Sequence, residues 1–404
     1  MTVAARWQTP AVVILAACII STIGFGVRSS FGLFLDPVTE AKGWSRETFA
    51  LAIAIQNLLW GIGVPIAGAI ADRFGPTRVI GLGAVLYTLG IAGLVQAEAP
   101  LALYLSAGVL TGLGVAFSAF SIAMAAMARV VGPEKRSLVL GLGTAAGSLG
   151  QVIFSPLSQY FISHWGWSDA LFAMAFFTAL LIPLAMLLPR AGSAQNAAQA
   201  HQGLGDALRE ARGHRGYLLL TIGFFVCGFH VAFIAVHFPT YVADLGHSAD
   251  VGALSLALIG LFNIAGSFGA GWLGQRHSMK ISLAWIYLLR AVTIAALLIA
   301  PKTTTTIYCF AAVMGILWLS TVPLTTGIVA RVFGLQYLAT LFGIVFFSHQ
   351  LGSFIGIWWG GWLIDNTGSY DGMWYAGIAL GIAAAVVHWY IDEEPVTRLR
   401  EQAA

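Results

Sequence analysis

The residue with the most chemistry to offer in this chain is an arginine in the middle of an apolar run. Arg28 lies beyond the midpoint of the stretch from Ala11 to Leu35, among Gly24, Gly26, Ser29, Ser30 and Gly32. An ionised side chain deep in such a stretch costs about 2.5–3.5 kcal/mol on insertion scales, so its presence needs a reason. Its guanidinium offers a fixed fork of donors that suits two-point contact with a carboxylate. The competing reading is a packing feature, with the charge neutralised by a backbone carbonyl or a helix end. No Asp or Glu falls in the middle of any apolar stretch, and Asp72 and Asp365 sit at the ends of theirs. A space lined by Arg and His without carboxylates attracts an anion, and histidine is then the side chain left to carry a proton near neutral pH.

Further polar residues join this set. His230 repeats the position of Arg28 about 202 residues on, so both are expected to face one central space. His230, His237 and Tyr241 follow one another at spacings of seven and four, one stripe on a helix face. The ordinary reading of such a histidine is a satisfied structural donor. His349 and Gln350 sit among Phe346, Phe347 and Phe354, opposite Gly147 and Ser148 of the other half, which suggests a second contact with the central space. Gln56, Asn57 and Asn263 offer neutral hydrogen bonds, either to a ligand or between helices. The expected binding set is therefore Arg28, His230, His349, Gln350, Asn57 and Trp318, with His230, His237 and His349 as proton-coupling candidates. Trp318 reads either as a wall of the site or as packing. Cys18, Cys227 and Cys309 lack metal-ligand spacing and read as small core residues; no metal and no cofactor is expected.

The elements that must position these residues are membrane helices. The chain has 404 residues, 58% hydrophobic and only 9% charged, with a mean hydropathy of +0.84. A soluble domain carries roughly a quarter charged residues. Spans of about 20 apolar residues fit at 11–35, 47–71, 78–97, 101–128, 137–162, 168–189, 217–241, 251–274, 281–300, 306–330, 338–364 and 373–391. The first run is too long for a secretory signal core and reads as a span. The twelve form two groups of six that match at a displacement of about 202 residues. Gly26-Val27-Arg28 is answered by Gly228-Phe229-His230, Leu149-Gly150 by Leu351-Gly352, and Gly68…Asp72-Arg73 by Gly271…Gln275-Arg276. The expected organisation is an N-terminal bundle over 1–189, a linker over 190–216, a C-terminal bundle over 217–391 and a tail over 392–404. Lys and Arg concentrate in alternate loops, while the opposite side holds only Lys42, Arg46 and Lys302. Both termini are thus expected in the cytoplasm. The formal charge of +3 is spread around that rim and calls for no nucleic-acid partner.

Two segments carry a family resemblance. Gly68-Ala69-Ile70-Ala71-Asp72-Arg73-Phe74-Gly75-Pro76-Thr77-Arg78 puts a carboxylate at a helix end beside cations on a tight turn. It resembles the loop between the second and third helices of the major facilitator superfamily. That resemblance implies a conformational latch of Gly68, Asp72, Arg73, Gly75 and Arg78, and an all-α fold of twelve transmembrane helices in two pseudo-symmetric six-helix bundles. The run from Glu134-Lys135-Arg136 through Gly141, Ala146-Gly147-Ser148 and Gly150 to Pro156-Leu157 and Gly166-Trp167 is similar to the fifth helix of the monocarboxylate transporter and oxalate/formate antiporter branch. In the resembling fold the first and tenth helices line the central cavity. The ninth is peripheral, which makes Arg290 a structural cation rather than a ligand. His388, near the end of the last span, is likewise expected to be peripheral.

The departures from that branch matter as well. The Asp-Gly-Gly-Trp type opening is absent before the first span, and the eighth-helix Asp and Arg of the animal carriers align with the uncharged Asn263 and Ser267. Proton and anion binding must then come from other residues. There is no phosphate-binding Gly-x-x-x-x-Gly-Lys-Ser/Thr run, so transport would draw on gradients. The leading expectation is a secondary transporter, not an enzyme, moving a small organic anion in a cell membrane as a monomer, with protons as a possible second cargo. Efflux of amphipathic or aromatic compounds is the alternative, and a transporter-like membrane sensor is the alternative from another class.

Overall fold

The computed structural model describes residues 9–189, 203–334 and 336–399. Residues 190–202 of the expected linker and 400–404 of the expected tail lie outside the described residues. Among the described residues, eleven helical stretches are long and apolar enough to cross a membrane. They are α1 (Pro10–Lys42), α2 (Arg46–Phe74), α3 (Pro76–Val95), α4 (Pro100–Arg129), the stretch Val139–Met186, α7 (Arg215–Asp244), α8 (Ala249–Arg276), α9 (Met279–Ile299), α10 (Thr304–Phe333), α11 (Leu338–Thr367) and α12 (Asp371–Trp389). Val139–Met186 is two spans, because Gly166 interrupts it with φ 82° and ψ 165°. A side chain rarely adopts that conformation. The parts on either side, 139–165 (α5) and 167–186 (α6), bring the total to twelve.

Local chemistry sets the helix ends. Pro10, Pro76 and Pro100 occupy first-turn positions, where a missing N–H costs nothing. Ser45 and Thr303 accept hydrogen bonds from the amides of Thr48 and Thr306 at 3.2 Å. A short surface helix, Leu204–Gly213, precedes α7 and buries Ala207 and Ala211.

The halves repeat in their packing. Gly26 of α1 meets Gly150 of α5 so closely that a Cβ at Gly150 would stand 2.1 Å from the Thr22 carbonyl oxygen. Displaced by the repeat, Gly228 of α7 meets α11, where a Cβ at Gly352 would stand 2.0 Å from the Phe225 carbonyl oxygen. Small residues allow this backbone approach in a membrane, where no hydrophobic force brings helices together. Between the halves, α2 packs on α11 and α5 on α8.

Two helices break at matched places. α4 is interrupted at Ser118, and α10 unwinds between Leu317 and Thr321. Ser118 donates to the Gly114 carbonyl at 2.6 Å and Ser320 to the Ile316 carbonyl at 2.5 Å. Irregular backbone at this depth is tolerated where it is buried in protein or lines a cavity.

Candidate functional site

A cavity of about 150 Å³ lies between the halves, with walls from α1, α2, α4, α5, α7, α10 and α11. Arg28 reaches it from the last turn of the regular part of α1, Pro10–Ser29, where the carbonyl ends of the helix favour a cation. One terminal guanidinium nitrogen donates to the side-chain oxygen of Asn57. Asn57 is itself fixed, because its amide nitrogen donates to the Ile53 carbonyl at 2.8 Å. The guanidinium carbon lies 4.2 Å from the ring centre of Trp60, a cation–π contact. Its Nε is buried without a partner. A second, water-sized cavity of about 20 Å³ abuts the far side of Arg28, beside the break in α4. No Asp or Glu lines either cavity among the described residues.

Across from Arg28, α11 contributes His349, whose ring stacks at 5.7 Å on Phe346 and whose Nδ1 lies 3.2 Å from the Gln350 side-chain oxygen. Trp318 and Leu319, in the unwound turn of α10, form another wall. Phe120, Phe224, Phe342 and Phe346 make the remainder largely aromatic, while Ser148, Gln151 and Ser353 add neutral polar edges. The structure therefore gathers Arg28, Asn57, Trp318 and His349 around one space.

Three expectations about position are corrected. His230 does not face the cavity: its Nε2 lies 2.7 Å from the Gly377 carbonyl oxygen on α12, in a pocket opened by Gly377 and Gly381. His237 is on the same face and equally buried, held between Tyr370 and the Ile357 carbonyl at 3.2 and 2.8 Å. The histidine stripe is real, but it is packed against α11 and α12. Gln350 is also off the cavity wall, fully buried with its side chain against Gly61 of α2. Of the residues expected to be peripheral, His388 is fully buried and stacks on Tyr287 at 4.7 Å. Of the cysteines, only Cys227 is buried, and Cys309 is exposed.

Asn263 lies behind the cavity wall. Its side-chain nitrogen donates to Ser148 Oγ at 3.0 Å, and its oxygen accepts from the Leu319 amide at 3.0 Å, tying α8 to α5 and to the break in α10. Asp72 pairs with Arg129 at 2.6 Å, joining the ends of α2 and α4 within one half. Gly75 adopts φ 89° between α2 and α3, Gly68 has open space about it, and Arg73 and Arg78 are exposed.

Sequence reasoning missed the closure at the opposite end. There Arg46 joins Asp36 of its own half to Asp244 of the other. Asp365 accepts from the main-chain amides of Arg46 and Glu47, and Glu47 accepts from the Trp358 indole at 3.0 Å. The available signal was Arg46 itself, one of three cations on the charge-poor side.

The sequence model of the Major Facilitator Superfamily matches residues 17–357. The chain belongs to this superfamily. It is 25% identical over 396 residues to monocarboxylate transporter 13 of Bos taurus, covering 96% of this chain and 91% of that protein. It is 26% identical over 356 residues to YcxA of Bacillus subtilis, an uncharacterized MFS-type transporter, with 85% of each covered. Among solved structures, a D-xylose-proton symporter superposes with a TM-score of 0.76 at 14% identity, over 96% of this chain and 99% of that one. A bacterial homologue of the human lysosomal transporter Spinster, inward-facing and occupied, gives 0.74 at 15% identity, over 94% and 96%. These structures establish the shared fold. As a major facilitator, the chain is a multi-pass membrane transporter and not an enzyme.

Proposed function

We propose that the protein is a secondary transporter of a small organic anion, a mono- or dicarboxylate, and that Arg28 is the anchor for its carboxylate. The observation that carries this reading is the Arg28 guanidinium on a cavity wall without an Asp or Glu. Asn57 leaves the rest of the fork free, and the aromatic wall suits the apolar body of such a substrate. The similarity to monocarboxylate transporters supports the same class.

His349 is the titratable group on the cavity wall and takes the role of proton coupling or substrate orientation. Alternating access follows from rocking of the bundles over 1–189 and 217–391, with the Arg46 end shut in this conformation. The charge-poor loops support an orientation with that end outside and both termini cytoplasmic, in a cell or inner membrane. The carrier works as a monomer, since the cavity draws its walls from the two halves of one chain.

The test is uptake of labelled small carboxylates into liposomes. Wild-type protein accumulates them, and Arg28→Gln loses uptake while keeping its elution profile and thermal transition. Undiminished uptake by Arg28→Gln would remove the anchor. The aromatic wall also favours a second reading, efflux of aromatic or amphipathic compounds. A thermal-shift panel separates the two: carboxylates stabilise an anion carrier, and cationic dyes a drug exporter.

A further inference from the structure

On its far side Arg28 borders the second space, of about 20 Å³, together with Ser21 and Gly24 of α1, Trp60 of α2 and Ser118 at the break in α4. Arg28 Nε and the Trp60 indole Nε1 are both buried without a partner. Trp60 is 7% exposed, and its ring centre lies 4.2 Å from the guanidinium carbon. The two unmet N–H groups therefore belong to one stacked pair, and both are donors only. The hydroxyl hydrogens on the border are already committed. Ser21 Oγ donates to the Ala17 carbonyl at 2.9 Å and Ser118 Oγ to the Gly114 carbonyl at 2.6 Å. The Gly24 carbonyl accepts from the Tyr87 hydroxyl at 3.3 Å. The unmet need of this space is for an acceptor.

Its electrostatics point the same way. The second segment of α4, Phe120–Arg129, starts here, and Ala119 and Phe120 border the space. A helix start presents free amides and the positive end of the dipole, and so favours an anion. Guanidinium, indole N–H and helix start thus meet from α1, α2 and α4, and no Asp or Glu among the described residues lines the space. A cation at this depth in a membrane needs compensation. The Asn57 side chain that accepts from Arg28 is neutral. A space of this volume holds about one water-sized particle. It admits a single-atom anion and shuts out a carboxylate with its carbon body.

We propose that this space is a binding site for one halide ion, chloride in a cell, behind the Arg28 guanidinium as seen from the substrate cavity. Arg28 Nε and the Trp60 indole donate to the ion, and the start of the Phe120–Arg129 segment adds its dipole. The ion neutralises the guanidinium while no substrate is bound. A water molecule, the other particle of this size, would meet the two donors but leave the charge uncompensated. This deepens the anion-carrier reading and rests on it for the competition arm below. A carboxylate on Arg28 and a halide behind it share one positive charge and repel each other. Each therefore weakens the other by the same factor, although they occupy different spaces.

The direct test needs no substrate and uses bromide, which scatters anomalously. Crystals of the wild-type protein grown in sodium bromide should show an anomalous peak within hydrogen-bonding distance of Arg28 Nε and Trp60 Nε1. Trp60→Phe keeps a ring against the guanidinium and removes one donor, so the peak should weaken there. No peak behind Arg28 in the wild type overturns the proposal, because the space then holds water. A peak only in the large cavity beside His349 also overturns it, because the ion is then a substrate mimic. Equal peaks in wild type and Trp60→Phe overturn it as well, since the indole would play no part. The competition arm measures binding of a labelled carboxylate at constant ionic strength. Bromide should raise the apparent Kd of the wild type at least about fivefold, and that of Trp60→Phe by a smaller factor. A wild-type Kd that bromide leaves unchanged overturns the coupling. If the wild type binds no carboxylate at all, the anion-carrier reading fails alone, and the bromide map still decides the halide site.

Discussion

Arg46 holds Asp244 through both terminal guanidinium nitrogens, at 2.7 and 2.8 Å, across the boundary between the two halves. Its Nε binds Asp36 at 3.0 Å, so one side chain fastens the ends of α1, α2 and α7. The paired side chains are 23% and 39% exposed, so water screens the contact, and its contribution is about 1 kcal/mol or less despite its two-point geometry. Arg46→Gln should therefore raise the population open at this end by about fivefold at most. Spin labels at Ala99 and Ser248, exposed at this end in opposite halves, would report a longer separation in the variant. An unchanged distance distribution would assign closure to Asp365 and the helix packing instead.

Asn57 offers a sharper probe of Arg28 than deletion does. Asn57→Asp places a carboxylate of nearly the same shape against the guanidinium, an internal anion in the position of the proposed ligand. The new ion pair should leave folding intact and occupy the fork that a substrate needs. The expected outcome is loss of carboxylate-induced thermal stabilisation, with the unliganded transition unchanged or higher. Full carboxylate stabilisation in Asn57→Asp would mean that the anion binds elsewhere.

The repeated glycine contacts predict matched stability losses. A methyl group at Gly150 or at Gly352 would stand 2.1 or 2.0 Å from a backbone oxygen of the facing helix, which cannot yield without moving that helix. Gly150→Ala and Gly352→Ala should each destabilise by about 1–3 kcal/mol or more, as overpacked cores do. At Gly269 of α8 a methyl group would meet no atom within 4 Å, so Gly269→Ala should be neutral or slightly stabilising. Thermal unfolding in detergent orders the three, and equal transitions would remove the close approach as a source of stability.

How much of this was legible in the sequence depended on how far a residue departed from its background. Arg28, Asn57, His349 and Trp318 stand out as polar or bulky groups in apolar or small-residue runs, and the cavity brings them together. The direction of His230 could not be read in this way. The pocket that receives it is made by Gly377 and Gly381 on α12, and nothing on α7 announces a gap in a helix so distant in the chain. The displacement that pairs it with Arg28 conserves depth in the bundle but not the partner it meets. Asp365 was visible as a helix-end acid, yet its role required knowing that the first amides of α2 lie opposite. Arg290 was expected to bond a neighbouring helix, and its partners are the Leu317 and Trp318 carbonyls; the lack of a buried acid among the described residues shows only in the structure.

The break in α10 gives a last prediction. Its freed amide at Leu319 is met by Asn263, and its freed carbonyls at Leu317 and Trp318 by Arg290, so side chains from α8 and α9 replace the missing helix bonds. Arg290→Met keeps much of the volume and leaves those carbonyls without donors, at about 1–3 kcal/mol for each buried group. The substitution also removes a buried cation and its desolvation cost, which offsets part of the loss. The carbonyls should win, because Met supplies no donor and the break stays buried, for a net destabilisation of about 1–3 kcal/mol. Arg290→Lys should fall between the two, since an ammonium restores the charge but not the planar fork that spans both carbonyls. Thermal unfolding of the three proteins checks the order. If Arg290→Met is as stable as wild type, helix packing alone holds the unwound turn and the cation is not needed for the backbone.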